Sequence, residues 1–166
     1  MDTWQAIDTV RVVREFEDRL VSPEHLERIL HAARRTASSK NDQRWTFIVC
    51  RDRDRLRELS KVGDYAGHLA DAPLAVALVG PASKDRWDLG RVAQNMVLAA
   101  WELHVGSVPA TVYDQELARR LLGYPDDQEC GYLLSFGYPA DPSVLTRPNR
   151  AGGRKSLGEV VRDERW

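Results

Sequence analysis

The sequence predicts an α/β or α+β domain built around four short strands. Segments with helical apolar periodicity alternate with short runs rich in β-branched and aromatic residues. The 166 residues are 43% hydrophobic and 30% charged, which is typical of one globular domain. The connections between the strands are irregular, and no GxGxxG motif follows a strand. A dinucleotide-binding Rossmann fold is therefore not supported.

Capping residues and periodicity define the elements of the first half of the chain. Ser22, Pro23 and Glu24 supply a cap, a proline at the first helical position and a first-turn acid, which together predict a helix start. The expected elements are a helix over 2–9, a helix over 23–35, a polar loop over 36–44, a strand over 45–50 and a charged helix over 52–61.

The second half contains the most apolar segments. The continuous apolar run over 74–79 predicts a strand that is buried on both faces, and residues 87–104 predict the longest helix. The other expected elements are one or two helical turns over 65–71, a strand within 106–113, a helix over 115–122 and a strand over 132–137. The tail, residues 138–166, has no core face, yet Leu157, Val160 and Trp166 are apolar. This pattern favours docking of the tail onto a second subunit.

The overall charge argues against some partners. The chain has 24 basic and 25 acidic residues, and this balance does not favour a broad nucleic-acid or anionic-membrane surface. We expect neither a membrane span nor an amino-terminal signal peptide, because the sequence has no apolar window of the required length and no basic region followed by an apolar stretch near Met1. Cys50 and Cys130 lie far apart without a metal-binding motif, so no metal site is predicted. We expect a soluble, reduced, cytoplasmic domain.

Three polar clusters are candidates for chemistry. The first is the pair Arg11 and Arg14, expected on one face of the first helix, which could clamp a phosphate or a carboxylate. The second is the hydroxyl- and amide-rich segment 38–43, which could bind the edge of a heterocycle. The third is Gly152, Gly153, Arg154 and Lys155, which suits a phosphate. Taken alone, each cluster is also explained by a solvated surface, a helix-terminating loop or a basic linker.

No motif for hydrolysis accompanies these clusters. Ser107 and Ser135 lack the GxSxG context of a nucleophilic serine, and the four histidines fit structural roles better than catalytic ones. The three clusters share suitability for a phosphorylated, hydrogen-bonding heterocycle.

In order along the chain, these clusters resemble the nitroreductase family of FMN-dependent oxidoreductases. The most specific match is the segment 37–45, Ala-Ser-Ser-Lys-Asn-Asp-Gln-Arg-Trp, which is similar to the family's APSSxNxQPW stretch. The other matching stretches are 4–7, 11–16, 21–30, 71–73, 88–100, 106–109, 136–139 and 154–157. The resemblance covers nearly the whole chain.

The resemblance implies an α+β fold with a mostly antiparallel sheet flanked by helices, in one domain over 1–166. It also implies an intertwined homodimer that binds two FMN molecules at the interface, with residues 138–166 as an arm on the partner subunit. The FMN-binding residues that it implies are Arg11, Val12, Arg14, Ser38, Ser39, Asn41, Pro109, Ala110, Thr111, Val112, Arg154 and Lys155. Tyr65 and His68 fall where other members place polar groups near the ring and the substrate.

The implied reaction is a ping-pong transfer. NADH or NADPH would deliver a hydride to N5 of FMN, and a nitroaromatic, a quinone or a similar small-molecule acceptor would then be reduced. Arg14 is the candidate for stabilising the charge of the reduced ring, and no side chain is assigned as a general acid. The sequence does not select NADH over NADPH.

Several residues depart from the family pattern. Val10, Val12 and Val112 stand where arginine, serine and glycine are frequent in the family, and His104 stands where glycine is frequent. The chain also lacks the insertion that covers the substrate pocket in longer members. Two alternatives stay open: a specialised dehydrogenase or another branch of the family, and a flavin-binding or carrier protein with little turnover.

Overall fold

The computed structural model describes residues 1–82, 86–148 and 153–166. The helices are α1 (Thr3–Thr9), α2 (Pro23–Arg34), α3 (Arg53–Leu59), α4 (Trp87–Glu102), α5 (Gln115–Leu122) and α6 (Leu157–Val160). The strands are β1 (Thr46–Cys50), β2 (Leu74–Pro81), β3 (Gly106–Thr111) and β4 (Gln128–Gly137). Short 3₁₀ turns lie at Ser39–Asn41, Gly67–Leu69 and Pro142–Leu145.

The strands form one sheet in the order β1-β2-β4-β3, and every pairing is antiparallel. β2 and β4 are central and almost entirely buried, which explains the continuous apolar run of β2. The predicted α+β class with an antiparallel sheet is confirmed. β3 is an edge strand, which allows it to contain Pro109.

Two hydrophobic layers cover the sheet. On one face, α3, α5 and the turn Gly67–Leu69 pack against alternate residues of the strands. On the other face, α2 and α4 pack together over the opposite side chains, including Phe136. The alternation of small and large residues along β2 and β4 therefore places one side chain in each layer in turn.

The first helix ends before Arg11 and Arg14, which were expected to lie on one of its faces. α1 ends at Thr9, and Val10 already has an extended backbone (φ −56°, ψ 137°). The expectation that Arg11 and Arg14 share a helical face is therefore wrong. Val10 through Phe16 run along the sheet as an extended segment, which we call the opening segment.

The opening segment is fixed to the ends of β3 and β4. The Val13 N–H donates to the Ser107 carbonyl (3.0 Å), and the Glu17 N–H donates to the Tyr138 carbonyl (2.8 Å). The segment lies so close that a Cβ on Gly106 would be 2.6 Å from the Cβ of Val13. A Cβ on Gly137 would likewise be 2.7 Å from the Phe16 ring. Two glycines thus provide the space in which the opening segment lies.

The other elements differ from prediction mainly at their ends. β4 begins at Gln128 rather than 132, and the expected helical turns over 65–71 contract to a single 3₁₀ turn. α4 ends at Glu102 because His104 adopts a left-handed conformation (φ 59°). The His104 N–H donates to Trp101 and the Val105 N–H to Ala100, which is the Schellman arrangement. A glycine is the usual residue at this position.

Among the described residues, no helix is long and apolar enough to cross a membrane. Within the same ranges, no group of three or more histidine, cysteine or acidic residues is placed to hold a metal ion.

Candidate functional site

The opening segment presents two cations at the start of β3. Arg14 is exposed, and the Arg11 guanidinium donates to the backbone carbonyl of Arg147. That hydrogen bond ties the opening segment to the beginning of the tail. Val12 pairs through its backbone with Ser107 and leaves its side chain half exposed.

The outer edge of β3 lies beside these cations. Pro109 is exposed, whereas its neighbours Val108 and Ala110 are buried. The Ser107 carbonyl points away from β4 because it accepts from Val13. Since backbone groups alternate along a strand, the backbone of Pro109 and Thr111 points the same way. Along the described chain, the opening segment pairs no further than Ser107. The Thr111 carbonyl lies against Gly63, where an added Cβ would be 2.5 Å from the carbonyl oxygen, so the part of the edge that is available to a planar ligand runs from Pro109 to the Thr111 N–H.

Val112 does not face this edge with its side chain. Only 3% of Val112 is exposed, because its isopropyl group packs in the core beneath α3 and α5. Ala110 is buried in the same layer. Of the four residues predicted from 109 to 112, Pro109 and Thr111 are thus the ones accessible at the surface, and the departure at Val112 is explained by core packing.

His68 and Ser135 form a polar pair below this edge. Nδ1 of His68 lies 2.7 Å from Oγ of Ser135, and Ser135 is fully buried on β4 opposite Val108. Nε2 of His68 is also buried but has no hydrogen-bond partner among the described residues. Burial, together with the positive charge of Arg14, lowers the pKa of His68 from 6.5 to about 4. His68 is therefore a neutral imidazole at physiological pH.

The segment 38–43 forms a separate, tightly turned loop. The Gln43 N–H donates to Oγ of Ser38 (2.9 Å), and Lys40, Asn41 and Gln43 all adopt positive φ. Ser39 and Asn41 are exposed. The base of the loop is fastened to α4, because Arg91 donates to the Ala37 carbonyl (2.8 Å).

The predicted site residues therefore fall into three groups in one chain. Arg11, Arg14 and His68 lie near the β3 edge, whereas Ser38, Ser39 and Asn41 lie on the loop that leads into β1. β1 forms the opposite edge of the sheet. Arg154 and Lys155 are exposed in the tail, and Tyr65 is 81% exposed. Gly152 lies outside the described residues, whereas Gly153 is described and exposed.

Ser135 was not predicted as a site residue. The sequence contains one signal for it, since Ser135 is the polar residue in the otherwise apolar and glycine-bounded run 132–137. A buried hydroxyl in the middle of a central strand requires a partner. The identity of that partner, His68, depends on the packing of the turn Gly67–Leu69 over β4.

These features define an α+β protein with a cationic, hydrogen-bonding site at the edge of an antiparallel sheet. A family model described as "Nitroreductase family" matches residues 7–83 and 62–138. A protein of Archaeoglobus fulgidus named "Putative NADH dehydrogenase/NAD(P)H nitroreductase" is 37% identical over 146 residues, which are 81% of this chain and 84% of the relative. A protein of the same name from Methanothermobacter thermautotrophicus is 34% identical, over 85% and 79% of the two chains. The chain belongs to the nitroreductase family.

Solved structures agree with this assignment of the fold. A protein from Parabacteroides distasonis superposes with a TM-score of 0.86 at 24% identity, over 99% of this chain and 98% of that chain. A "putative nitroreductase in complex with FMN" from Desulfovibrio desulfuricans superposes with a TM-score of 0.80 at 25% identity, over 100% and 99%. The predicted nitroreductase-like fold is confirmed.

Proposed function

We propose that this protein is an FMN-dependent oxidoreductase that uses NADH or NADPH to reduce nitroaromatic, quinone or similar acceptors. The observation that best supports this proposal is the buried Nε2 of His68, which has no hydrogen-bond partner among the described residues and lies near Arg14 and the open edge of β3. Family membership, and relatives named as NAD(P)H nitroreductases, support the same reaction.

The residues present fit FMN. A flavin offers a planar ring, a polar pyrimidine edge and a phosphate. The β3 edge from Pro109 to Thr111 provides a flat backbone surface, and Arg11 suits the phosphate. We assign the remaining contacts to Val12, Ser38, Ser39 and Asn41, and to Arg154 and Lys155 as a second pair of phosphate ligands.

FMN, when bound, would supply the redox chemistry, in which it accepts a hydride from NADH or NADPH and passes electrons to the acceptor. The protein's contribution is position and charge. Arg14 provides a permanent positive charge near the site, where it favours ligand atoms that gain negative charge. The Thr111 N–H points toward the outer edge of β3 and is a suitable hydrogen-bond donor there.

We further propose a homodimer in which each FMN site takes residues from both subunits. The loop with Ser39 and Asn41 and the edge with Arg14 lie at opposite ends of one sheet, so two copies would bring them together. Exposed apolar side chains on α1 and in the tail support such an interface; they include Trp4, Ile7, Leu157, Val160 and Trp166. Residues 138–166 would then be an arm on the partner subunit. Placement in the cytoplasm stays a prediction.

The test of the cofactor is direct. Purified protein is loaded with FMN, dialysed, and examined by absorption spectroscopy before and after anaerobic addition of NADH or NADPH. Bleaching of the flavin bands by either nucleotide, followed by reoxidation with menadione or nitrofurazone, is expected. A protein that retains no FMN would refute the proposal, and retained FMN without turnover would favour a flavin carrier.

Arg11 allows a matched test of the phosphate contact. Arg11→Ala should weaken FMN binding by about 10–100-fold, since a hydrogen bond to a charged group contributes roughly 1.5–3 kcal/mol. Arg57→Ala is the control, because Arg57 is an exposed cation on α3 that pairs with Asp54. Equal FMN affinity of the two variants would exclude Arg11 from the site.

The shared site predicts complementation between subunits. A mixed dimer of one Arg14→Ala copy and one Asn41→Ala copy should contain one intact site and one doubly altered site. FMN titration should then show about half the sites at wild-type affinity. If every site is built from a single chain, no site in the mixed dimer would retain wild-type affinity.

A further inference from the structure

Ser135 and His68 occupy a position that the proposed reaction leaves unexplained. Ser135 lies on β4 between Ala75 of β2 and Val108 of β3, with no exposed surface. Its backbone lies between two paired strands, and its side chain reaches His68 on the turn Gly67–Leu69 at 2.7 Å. The pair therefore connects the interior of the sheet to the region around Arg14.

The hydroxyl of Ser135 indicates which nitrogen of His68 carries the proton. A buried O–H requires an acceptor, and Nδ1 of His68 is the acceptor that the described residues place within hydrogen-bond distance. If Ser135 donates to Nδ1, then a neutral imidazole must carry its proton on Nε2. Protonation of both nitrogens is opposed by burial and by the positive charge of Arg14.

This tautomer leaves a buried N–H donor without an acceptor. Nε2 is shielded from solvent and has no partner among the described residues. Leaving a buried donor unpaired is costly, so such an atom points to a ligand. The positive charge of Arg14 acts on the His68 imidazole. The missing acceptor is therefore expected to be an electron-rich atom, such as a carbonyl oxygen or an unprotonated nitrogen of a heterocycle.

We propose that Ser135 is a positioning residue that holds His68 in its Nε2–H tautomer, so that the neutral imidazole donates a hydrogen bond to an acceptor on the pyrimidine edge of bound flavin. This inference rests on the proposed FMN site and gives His68 a cofactor contact instead of the substrate contact first expected. Ser135 acts only through His68 and touches no ligand.

The tautomer can be measured without any assay of activity. Long-range ¹H–¹⁵N NMR of the full-length protein distinguishes Nδ1–H from Nε2–H imidazoles, and His68→Gln identifies the signals of His68 among the four histidines. We expect an Nε2–H pattern for His68 in the flavin-free protein. Addition of FMN should shift the Nε2 proton while the pattern persists.

Variants of Ser135 separate a positioning role from a packing role. Ser135→Ala removes the hydroxyl and should yield a mixture of tautomers, whereas Ser135→Thr keeps the hydroxyl and should restore the Nε2–H pattern. Thermal unfolding of both variants checks that they fold. An Nδ1–H tautomer in the wild type, or unchanged His68 signals in Ser135→Ala, would overturn the proposal.

The flavin contact has its own readout. His68→Gln retains an N–H donor and should bind FMN nearly as tightly as the wild type. His68→Phe removes the donor and should weaken binding by about tenfold, with a shifted flavin midpoint potential. Wild-type affinity and potential in His68→Phe would refute the contact. Failure of the wild type itself to bind FMN would refute the proposed function, whereas the tautomer experiment would still judge the role of Ser135.

Discussion

The position of the opening segment depends on the absence of a side chain at Gly106, and this dependence can be tested. An added Cβ at Gly106 would lie 2.6 Å from Cβ of Val13 and 2.8 Å and 2.9 Å from its two methyl carbons. Val13 is buried, and its N–H is bonded to Ser107, so its side chain has little freedom to rotate away. Gly106→Ala must therefore displace the backbone that carries Arg11 and Arg14.

The size of the displacement follows from the contact distance. Carbon atoms pack at about 3.5–4.0 Å, so the opening segment must move by about 1 Å. Overpacking of this kind typically costs about 1–3 kcal/mol of folding stability. A shift of about 1 Å in a binding group can cost up to about a hundredfold in function, so we expect FMN to bind Gly106→Ala at least tenfold more weakly.

The assay is an FMN titration followed by the quenching of flavin fluorescence, with thermal unfolding measured in parallel. Gly90→Ala is the matched control, because a Cβ at Gly90 on α4 meets no atom within 4 Å. That control should bind FMN normally and gain stability, since alanine favours a helix. If Gly106→Ala is destabilised but binds FMN within twofold of the wild type, the placement of the opening segment in the site is wrong.

Three further predictions concern stability and assembly. His104→Gly should raise the free energy of unfolding by about 1 kcal/mol and Gly123→Ala should lower it by a similar amount, because both residues end a helix with positive φ; equal urea midpoints for His104→Gly and His104→Ala would contradict this. Because the pKa of His68 is lowered from 6.5 to about 4 in the folded protein, His68 of the unfolded chain binds a proton at a higher pH than His68 of the folded chain. The stability of the flavin-free protein should thus decrease between those two pH values by about 1–2 kcal/mol after allowance for solvent screening, and His68→Gln should abolish that part of the pH dependence. Deletion of residues 147–166 should reduce both FMN retention and the dimer fraction in sizing chromatography, and an unchanged, loaded dimer would argue against the arm.

Helix-capping residues and patterns of apolar residues close together in sequence predicted most of the fold. Ser22 accepts from the His25 N–H and begins α2, and Gly123 ends α5 with φ 73°, as the capping residues indicate. Cys50 is a buried thiol in β1, as its apolar neighbours suggest. These outcomes depend on interactions within a few residues, which a sequence shows directly.

The one wrong expectation, and the details that the sequence did not show, arise where tertiary pairing decides the backbone. The segment from Val10 to Phe16 has helical charge spacing, but its Val13 N–H donates to Ser107 of β3, and the Glu17 N–H that follows the segment donates to Tyr138; both partners are distant in sequence. The left-handed loop around Asn41 carries non-glycine residues with positive φ, and Asn is one of the residues that tolerate this conformation. Likewise, the core position of Val112 depends on the packing of α3 and α5 over the sheet and not on the residues next to it in sequence.

Apart from the cations assigned to the phosphate, the proposed site places one full positive charge, that of Arg14, beside the flavin ring, and His68 explains why one is enough there. Burial, together with the cation of Arg14, lowers the pKa of His68 to about 4 and so keeps the imidazole neutral. A second full charge would bind an anionic ligand more tightly but would also oppose the later loss of electrons to an acceptor, which turnover requires. A neutral N–H, held in direction by Ser135, adds specificity for an acceptor atom without adding that charge. The buried hydroxyl of Ser135 therefore links the packing of the central sheet to the electrostatics of its edge.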